Sequence, residues 1–255
     1  METDSYPERF LQADAARSYN ECEYAASSYS SIIWRMQRPL LRTWLRQCLA
    51  EHPEPRHLDF ACGTGRITQM AEEVFGEVDG LDISQEMVSL ARQRCPESRF
   101  FVGDVLNEPD LCPGPYTSIS TFRLILNLDP PLRLPILRQI HSRLGSGGKL
   151  ILNVHGSSHS LRQPAIIWKR WRHPVGQRDG LMLNSMSPGE ITTCLEAVGF
   201  SVEERKGFGV LPPTLYRWPL RGFWIALDRF LSRVGFLQPF CVDLMYRASR
   251  RAGAS

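Results

Sequence analysis

With 255 residues, 43% of them hydrophobic, the chain can bury a full core, and its length suits one elaborated domain better than two independent ones. Thirty basic residues against 27 acidic leave a formal charge of +3, too small to argue for a nucleic-acid partner from charge alone. Seven cysteines contain no CxxC pair, so neither a zinc site nor a disulfide framework is expected, and no run approaches the 18 apolar residues of a membrane span. Met1 to Pro7 is acidic and polar where a signal peptide would be basic and then apolar, so the expected setting is cytoplasmic, with contact to a membrane surface left open.

Residues 1 to 50 read as a helical N-terminal cap on a main domain at 51 to 255. Ile32, Ile33, Met36, Leu40, Leu41, Trp44, Leu45 and Cys48 recur at intervals of three and four, with Pro39 expected to interrupt or kink the helix. Before them Tyr19, Tyr24 and Tyr29 recur every five residues, which does not keep them on one helical face. His57 to Phe60 suits a short buried strand. Gly63 and Gly65 then let the chain turn tightly into a helix from Ile67 to Val74, leaving bare backbone for a ligand. Further strands are expected at Glu77 to Leu81, Arg99 to Val102, Tyr116 to Phe122 and Lys149 to Val154. Helices are expected at Ser84 to Arg94, with Ser84 as N-cap, and at Pro131 to Leu144, closed by Gly145. This alternation predicts an α/β fold, a doubly wound, mostly parallel sheet of Rossmann-like type.

After Val154 the alternation breaks. Residues 156 to 186 form a first insertion, where Arg162, Lys169, Arg170, Arg172 and Arg178 interleave with Trp168 and Trp171. Such a segment can hold an anionic small molecule, a lipid headgroup or RNA, or it can be a solvated loop. A helix at Ser187 to Gly199, a strand at Phe200 to Lys206 and a last strand at Phe240 to Arg247 follow, with a second insertion at about 209 to 239. Within it Leu220, Phe223, Trp224, Leu227, Phe230, Leu231 and Val234 make one helical stripe, with Arg221, Asp228, Arg229 and Arg233 off it. The stripe can pack on the domain, close over an apolar acceptor as part of an acceptor-side lid, or touch a membrane through residues 219 to 234.

Three acids fall where a nucleoside ligand needs them. Asp82 ends the second strand, 17 residues beyond Gly65, where a carboxylate can accept both ribose hydroxyls. Asp104 ends the third strand, and Asp59 precedes the glycine turn. The run Asp59-x-Ala61-x-Gly63-x-Gly65 resembles the first motif of class I S-adenosylmethionine-dependent methyltransferases of the small-molecule type, with Ala61 in place of the first glycine. Two later stretches, Tyr116 to Asn127 and Leu144 to Gly156, resemble later motifs of that family, with Ser146 where a proline usually stands. The resemblance implies a seven-stranded sheet with an antiparallel last strand, S-adenosylmethionine as cofactor, and no metal. It implies cofactor contacts from Asp59, Ala61, Gly63, Gly65, Asp82, Ile83, Met87, Asp104, Val105 and Phe122. Among these, Asp59 would hold the methionyl ammonium and Asp104 the adenine amino group. It also implies a flap from the tyrosine-bearing N-terminal segment.

Residues leaving the carboxyl ends of the fourth and fifth strands point to the ligand crevice of such sheets, which nominates Phe122, Arg123, Asn127, Asn153, His155 and His159. His155 is the candidate base, and Arg123 can clamp a carboxylate or phosphate of the acceptor. Tyr24, Tyr29, Asn127, His159 and Trp168 complete the acceptor-side candidates. The expected reaction is methyl transfer to an O or N atom of a small molecule such as a natural product or a glycosyl or cell-envelope precursor. A lipid or quinone at a membrane surface is the alternative acceptor, no nucleic-acid partner is favoured, and the oligomeric state is open. Two other functions compete. One is a dinucleotide-dependent oxidoreductase, against which stand Thr68 in place of the third fingerprint glycine and the repulsion between Asp59 and a pyrophosphate. The other is a protein that binds the cofactor without turnover.

Overall fold

A computed structural model describes residues 29–155, 157–160, 186–217 and 219–251. In chain order the elements are helix α1 (Tyr29–Ala50), strand β1 (His57–Phe60), α2 (Arg66–Phe75), β2 (Asp79–Asp82), α3 (Gln85–Arg94), β3 (Arg99–Val102), β4 (Tyr116–Phe122), α4 (Pro130–Arg143), β5 (Leu144–His155), α5 (Pro188–Glu196), β6 (Phe200–Phe208), α6 (Arg221–Leu231) and β7 (Asp243–Arg250). Two 3-10 turns, Pro213–Arg217 and Gly235–Phe240, flank α6.

The strands form one seven-stranded sheet in the order β3-β2-β1-β4-β5-β7-β6. β1 to β5 are parallel, and β7 runs antiparallel between β5 and β6. The chain winds outward from β1 through β2 to β3, then returns to the other side of β1 with β4. That reversal opens a crevice at the carboxyl ends of β1 and β4, where such sheets bind ligands. β1 is buried at every position, and Leu58, Ile119, Leu150 and Leu152 fill the core behind the crevice.

Helix α1 is built into the domain rather than set upon it as a separate cap. Ile33, Leu41, Trp44 and Leu45 share a cluster with Ile67 and Met70 of α2, Ile151 of β5 and Met245 of β7. That burial carries the helix through Pro39 without a break, although an interior proline costs roughly 3 kcal/mol. Tyr19, Tyr24 and the first insertion from Leu161 to Ser185, with its basic residues, Trp168 and Trp171, lie outside the described residues.

Three boundaries differ from expectation for visible reasons. Gly145 does not close α4, because Leu144 is already extended and opens β5. The helix stops at Arg143, whose Nη2 donates to the carbonyls of Pro109 and Leu111 at 2.7 and 2.8 Å. The last strand starts at Asp243 rather than Phe240, which ends a 3-10 turn, and runs to Arg250 because both neighbours pair with it. On α6, Asp228, expected on the solvated side, is the fully buried residue. It accepts from the N–H groups of Val210 (2.8 Å) and Leu211 (3.0 Å) and from the Tyr216 hydroxyl (2.6 Å).

Candidate active site

The glycine turn needs its two glycines for different reasons. Both are left-handed, at φ 53° for Gly63 and 76° for Gly65. A β-carbon on Gly63 would meet no atom within 4 Å, so the backbone there faces open space. One on Gly65 would lie 3.0 Å from the Cα and Cβ of Ala91, so this glycine lets α3 pack against the turn. Ala61, where the resembled motif has glycine, is also left-handed at φ 58°, a strained conformation for a residue with a side chain.

A cavity of about 220 Å³ opens beyond the turn. Ala61, Gly63, Asp82, Ile83, Met87, Asp104, Val105 and Phe122 line it, together with Arg123 and Asn127. Its walls are largely apolar, and two acids stand at its edge. Asp82 accepts from the Gly63 N–H at 2.8 Å and from the Ser84 N–H at 3.0 Å, tying the ends of β1 and β2 together. Burial raises its carboxyl above the ordinary range, against the lowering effect of those N–H groups. Asp104 accepts from the Leu106 N–H at 2.9 Å and the Asn107 side chain at 2.8 Å. The Ser84 hydroxyl accepts from the Met87 N–H, the N-cap that starts α3 and holds Met87 at the cavity wall.

Asp59 and Gly65 do not line this cavity. Asp59 points into the interior, where Thr68 donates to one oxygen at 2.7 Å and Ser120 to the other at 2.9 Å. Burial pushes its pKa up to about 6, the two hydroxyls lowering it only in part. His57 continues the network through Ser120 at 3.0 Å and Ser118 at 2.8 Å, and burial holds it down to about 3.

A second, smaller recess of about 40 Å³, with several polar side chains in its lining, lies where α1 crosses the ends of β4, β5 and β7. That is several times the roughly 10–15 Å³ that one water requires. Tyr29, Trp34, Gln37, Arg66, Arg123, Asn153, His155 and Asp243 are among its lining residues. Arg123 lines both spaces and has a left-handed backbone at φ 61°. Its N–H donates to Asn153 Oδ1 at 2.6 Å and its carbonyl accepts from the Asn127 amide, so two asparagines fix the backbone at the boundary. Gln37 is 3% exposed, and its Nε2, like His155 Nδ1, is buried without a hydrogen-bond partner among the described residues. Burial first, and the Arg123 charge second, hold the His155 pKa down to about 3, so the imidazole is neutral and weakly basic.

Sequence reasoning brought Tyr29, Arg123, Asn127 and His155 to these two spaces, and Tyr24 and Trp168 lie outside the described residues. His159 lines neither space, its N–H donating instead to the Ser157 hydroxyl at 3.3 Å. Gln37, Trp34 and Arg66 were missed. Gln37 had a signal, a polar residue within the apolar helical spacing Ile33, Gln37, Leu41, Trp44. Trp34 stands edge-on to Phe122 at 6.4 Å and lies 4.4 Å from the Arg66 guanidinium, bridging α1 to the cofactor-side wall.

The topology, the open turn and the acids at strand ends fit an adenosyl ligand, and a family model described as a methyltransferase domain matches residues 33–205. The chain belongs to this methyltransferase family. A trans-aconitate 2-methyltransferase of Rhodopseudomonas palustris (strain BisB5) is 29% identical over 141 residues, covering 52% of this chain and 54% of that one. The aligned part thus spans about half the length of the curated relatives. Among solved structures, magnesium protoporphyrin IX methyltransferase from Synechocystis PCC 6803 with bound S-adenosylhomocysteine has a TM-score of 0.61 at 15% identity, over 96% of this chain and 97% of that one. The N-methyltransferase NodS from Bradyrhizobium japonicum WM9, also with S-adenosylhomocysteine, has a TM-score of 0.56 at 14% identity, over 85% and 88%. At these identities the likeness is of fold: the class I methyltransferase sheet. The cofactor of this methyltransferase family is S-adenosylmethionine, which displaces the dinucleotide reading.

Proposed function

We propose that this methyltransferase-family chain transfers the methyl group of S-adenosylmethionine to a carboxylate oxygen of a small organic acid. The observation that carries the acceptor class is the recess beyond Arg123. Arg66, Arg123 and buried Gln37, whose Nε2 has no hydrogen-bond partner among the described residues, line it together with the acid Asp243, and the two arginines there suit an anionic acceptor group. The name of the trans-aconitate relative, an organic acid methyltransferase, supports the same class.

Bound S-adenosylmethionine supplies a methyl carbon activated by its sulfonium. The chain supplies position. Asp82 and Asp104 would hold the ribose and adenine, Gly63 gives close access to backbone, and Ile83, Met87, Val105 and Phe122 keep water from the purine. On the other side of Arg123, the arginines and Gln37 would hold the acceptor anion in line. A carboxylate carries no proton to remove, so the weak basicity of His155 is no handicap. Its neutral ring orients the acceptor by a hydrogen bond rather than acting as a base.

Calorimetry with S-adenosylhomocysteine tests the cofactor half, and Asp82→Ala should weaken that binding by about 1–3 kcal/mol. Wild-type affinity in this variant removes the ribose assignment. Turnover on a panel of mono-, di- and tricarboxylic acids and their amides tests the acceptor half. Acids should be methylated and amides spared, and Arg123→Met should lower kcat/KM by about 2 kcal/mol or more while cofactor binding persists. Methylation of the amides alone overturns the carboxylate. Cofactor binding without turnover on any acceptor favours a binding protein.

A further inference from the structure

The segment between β6 and β7 turns its large apolar side chains outward. Leu220 is 75% exposed, Phe223 56%, Phe230 65%, Phe236 74% and Phe240 41%. Phe223 and Phe230 lie seven residues apart on α6 with exposed Ala226 between them, so they share one outward face. Arg229 and Arg233 are exposed beside it. Between residues 209 and 240 the single acid is Asp228, and its oxygens are spent beneath the helix on two N–H groups and a phenol. What remains on the outside is apolar and cationic. Of the readings of the stripe, packing on the domain holds in part: Trp224 and Leu231 lie half-buried against the core, Phe223 and Phe230 face out, and Asp228 is the fully buried residue of the helix.

We propose that α6 and the Gly235–Phe240 turn dock in the plane of an anionic lipid surface, with Phe223, Phe230 and Phe236 at the acyl boundary and Arg229 and Arg233 among the headgroups. An amphipathic helix with phenylalanine on one side and arginine on its flank has the chemistry of such contacts. Eleven residues cannot cross a bilayer, and no helix among the described residues is long and apolar enough to do so, so the contact lies flat. Charge complementarity selects the lipid. The face carries two exposed cations and no acid, and a protein partner with mixed charges would leave that asymmetry unused. The segment is also connected to the site, since Tyr216, held by Asp228, stacks on Tyr29 of the second recess at 5.7 Å.

Co-sedimentation of the full chain with vesicles of equal parts phosphatidylcholine and phosphatidylglycerol, against pure phosphatidylcholine, tests this. The protein should pellet with the mixed vesicles and stay in solution with the neutral ones. The paired change Phe223→Ser and Phe230→Ser should weaken partitioning by at least about tenfold. The pair Arg229→Glu and Arg233→Glu should remove the salt-sensitive part of the binding. Both variants should bind S-adenosylhomocysteine as the wild type does, which shows that they are folded. Failure of the wild type to pellet with anionic vesicles overturns the proposal, as does undiminished binding by the phenylalanine variant. So does a wild-type dimer in sedimentation velocity that becomes a monomer in the phenylalanine variant, with no vesicle binding by either. None of these outcomes depends on whether methyl transfer is observed.

Discussion

The glycine turn is organised by a half-buried aspartate and the segment that closes the domain by a fully buried one, and the two acids do different work. Asp82 ties Gly63 to Ser84 and still fronts an open cavity, so its hydrogen bonds shape a place for something else. Asp228 gathers Val210, Leu211 and Tyr216 around itself and is fully buried. One acid lines a cavity; the other is the inward anchor of its helix, and Phe223 and Phe230 are left outside. Polar burial therefore does not mark function by itself. The Asp228 oxygens are themselves matched to three donors, whereas in the recess next to the cofactor cavity Gln37 Nε2 and His155 Nδ1 have no partner among the described residues.

Removing Asp228 tests whether it is the anchor of α6. Asp228→Ala strands two backbone N–H groups and a phenol in the interior, at roughly 1–3 kcal/mol each, so a loss of at least about 3 kcal/mol is expected in urea unfolding. The cofactor affinity of the folded fraction should hold. A loss below about 1 kcal/mol would mean that water reaches these donors and that the anchor is not the acid.

Asp59 sharpens the cofactor side of the comparison. Its folded pKa of about 6 lies above the ordinary carboxylate value, so the folded chain binds more protons than the unfolded one across that interval. The contribution of this group to stability therefore falls as pH rises through it, by about 3 kcal/mol in all. His57 and His155, both held down to about 3, act in the opposite sense, and their contributions are lost as pH falls from the ordinary histidine range. A difference measurement isolates the acid. Asp59→Asn can keep the Thr68 and Ser120 contacts without the charge, and its stability relative to wild type should rise between about pH 4 and about pH 6. A gap that stays constant with pH would show that Asp59 is solvated.

These residues also show what a sequence discloses. The turn, β1, β3, β4 and the Ser84 cap were legible because each depends on a few adjacent residues: apolar strand positions, two glycines, and a serine ahead of a helix. The seven strands and the antiparallel last one followed from the family resemblance, since nothing local in Asp243–Arg250 says which neighbours it takes. Helical spacing found the stripe on α6 but not its direction, because periodicity tells which residues share a face and not which face turns inward. Arg123 was nominated by its place after β4, whereas the hydrogen bond from its N–H to Asn153, which helps hold its left-handed backbone, depends on β5, some 30 residues away.

The smallest expected effect concerns Ala61, where the turn departs from the resembled motif. Its φ of 58° costs an L-residue roughly 1–2 kcal/mol, while glycine adopts it freely and pays instead in the entropy of the unfolded chain. The two terms oppose each other, and Ala61→Gly should leave a net gain of about 0.5–1 kcal/mol in urea unfolding. Because Ala61 lines the cofactor cavity, the methyl group it loses also widens that space, so affinity for S-adenosylhomocysteine reports whether the wall is in contact. Greater stability with weaker binding would show that Ala61 packs on the cofactor and that the strain is retained for that contact. Greater stability with unchanged binding would assign the alanine no role in recognition and leave Gly63 as the backbone point the ligand approaches.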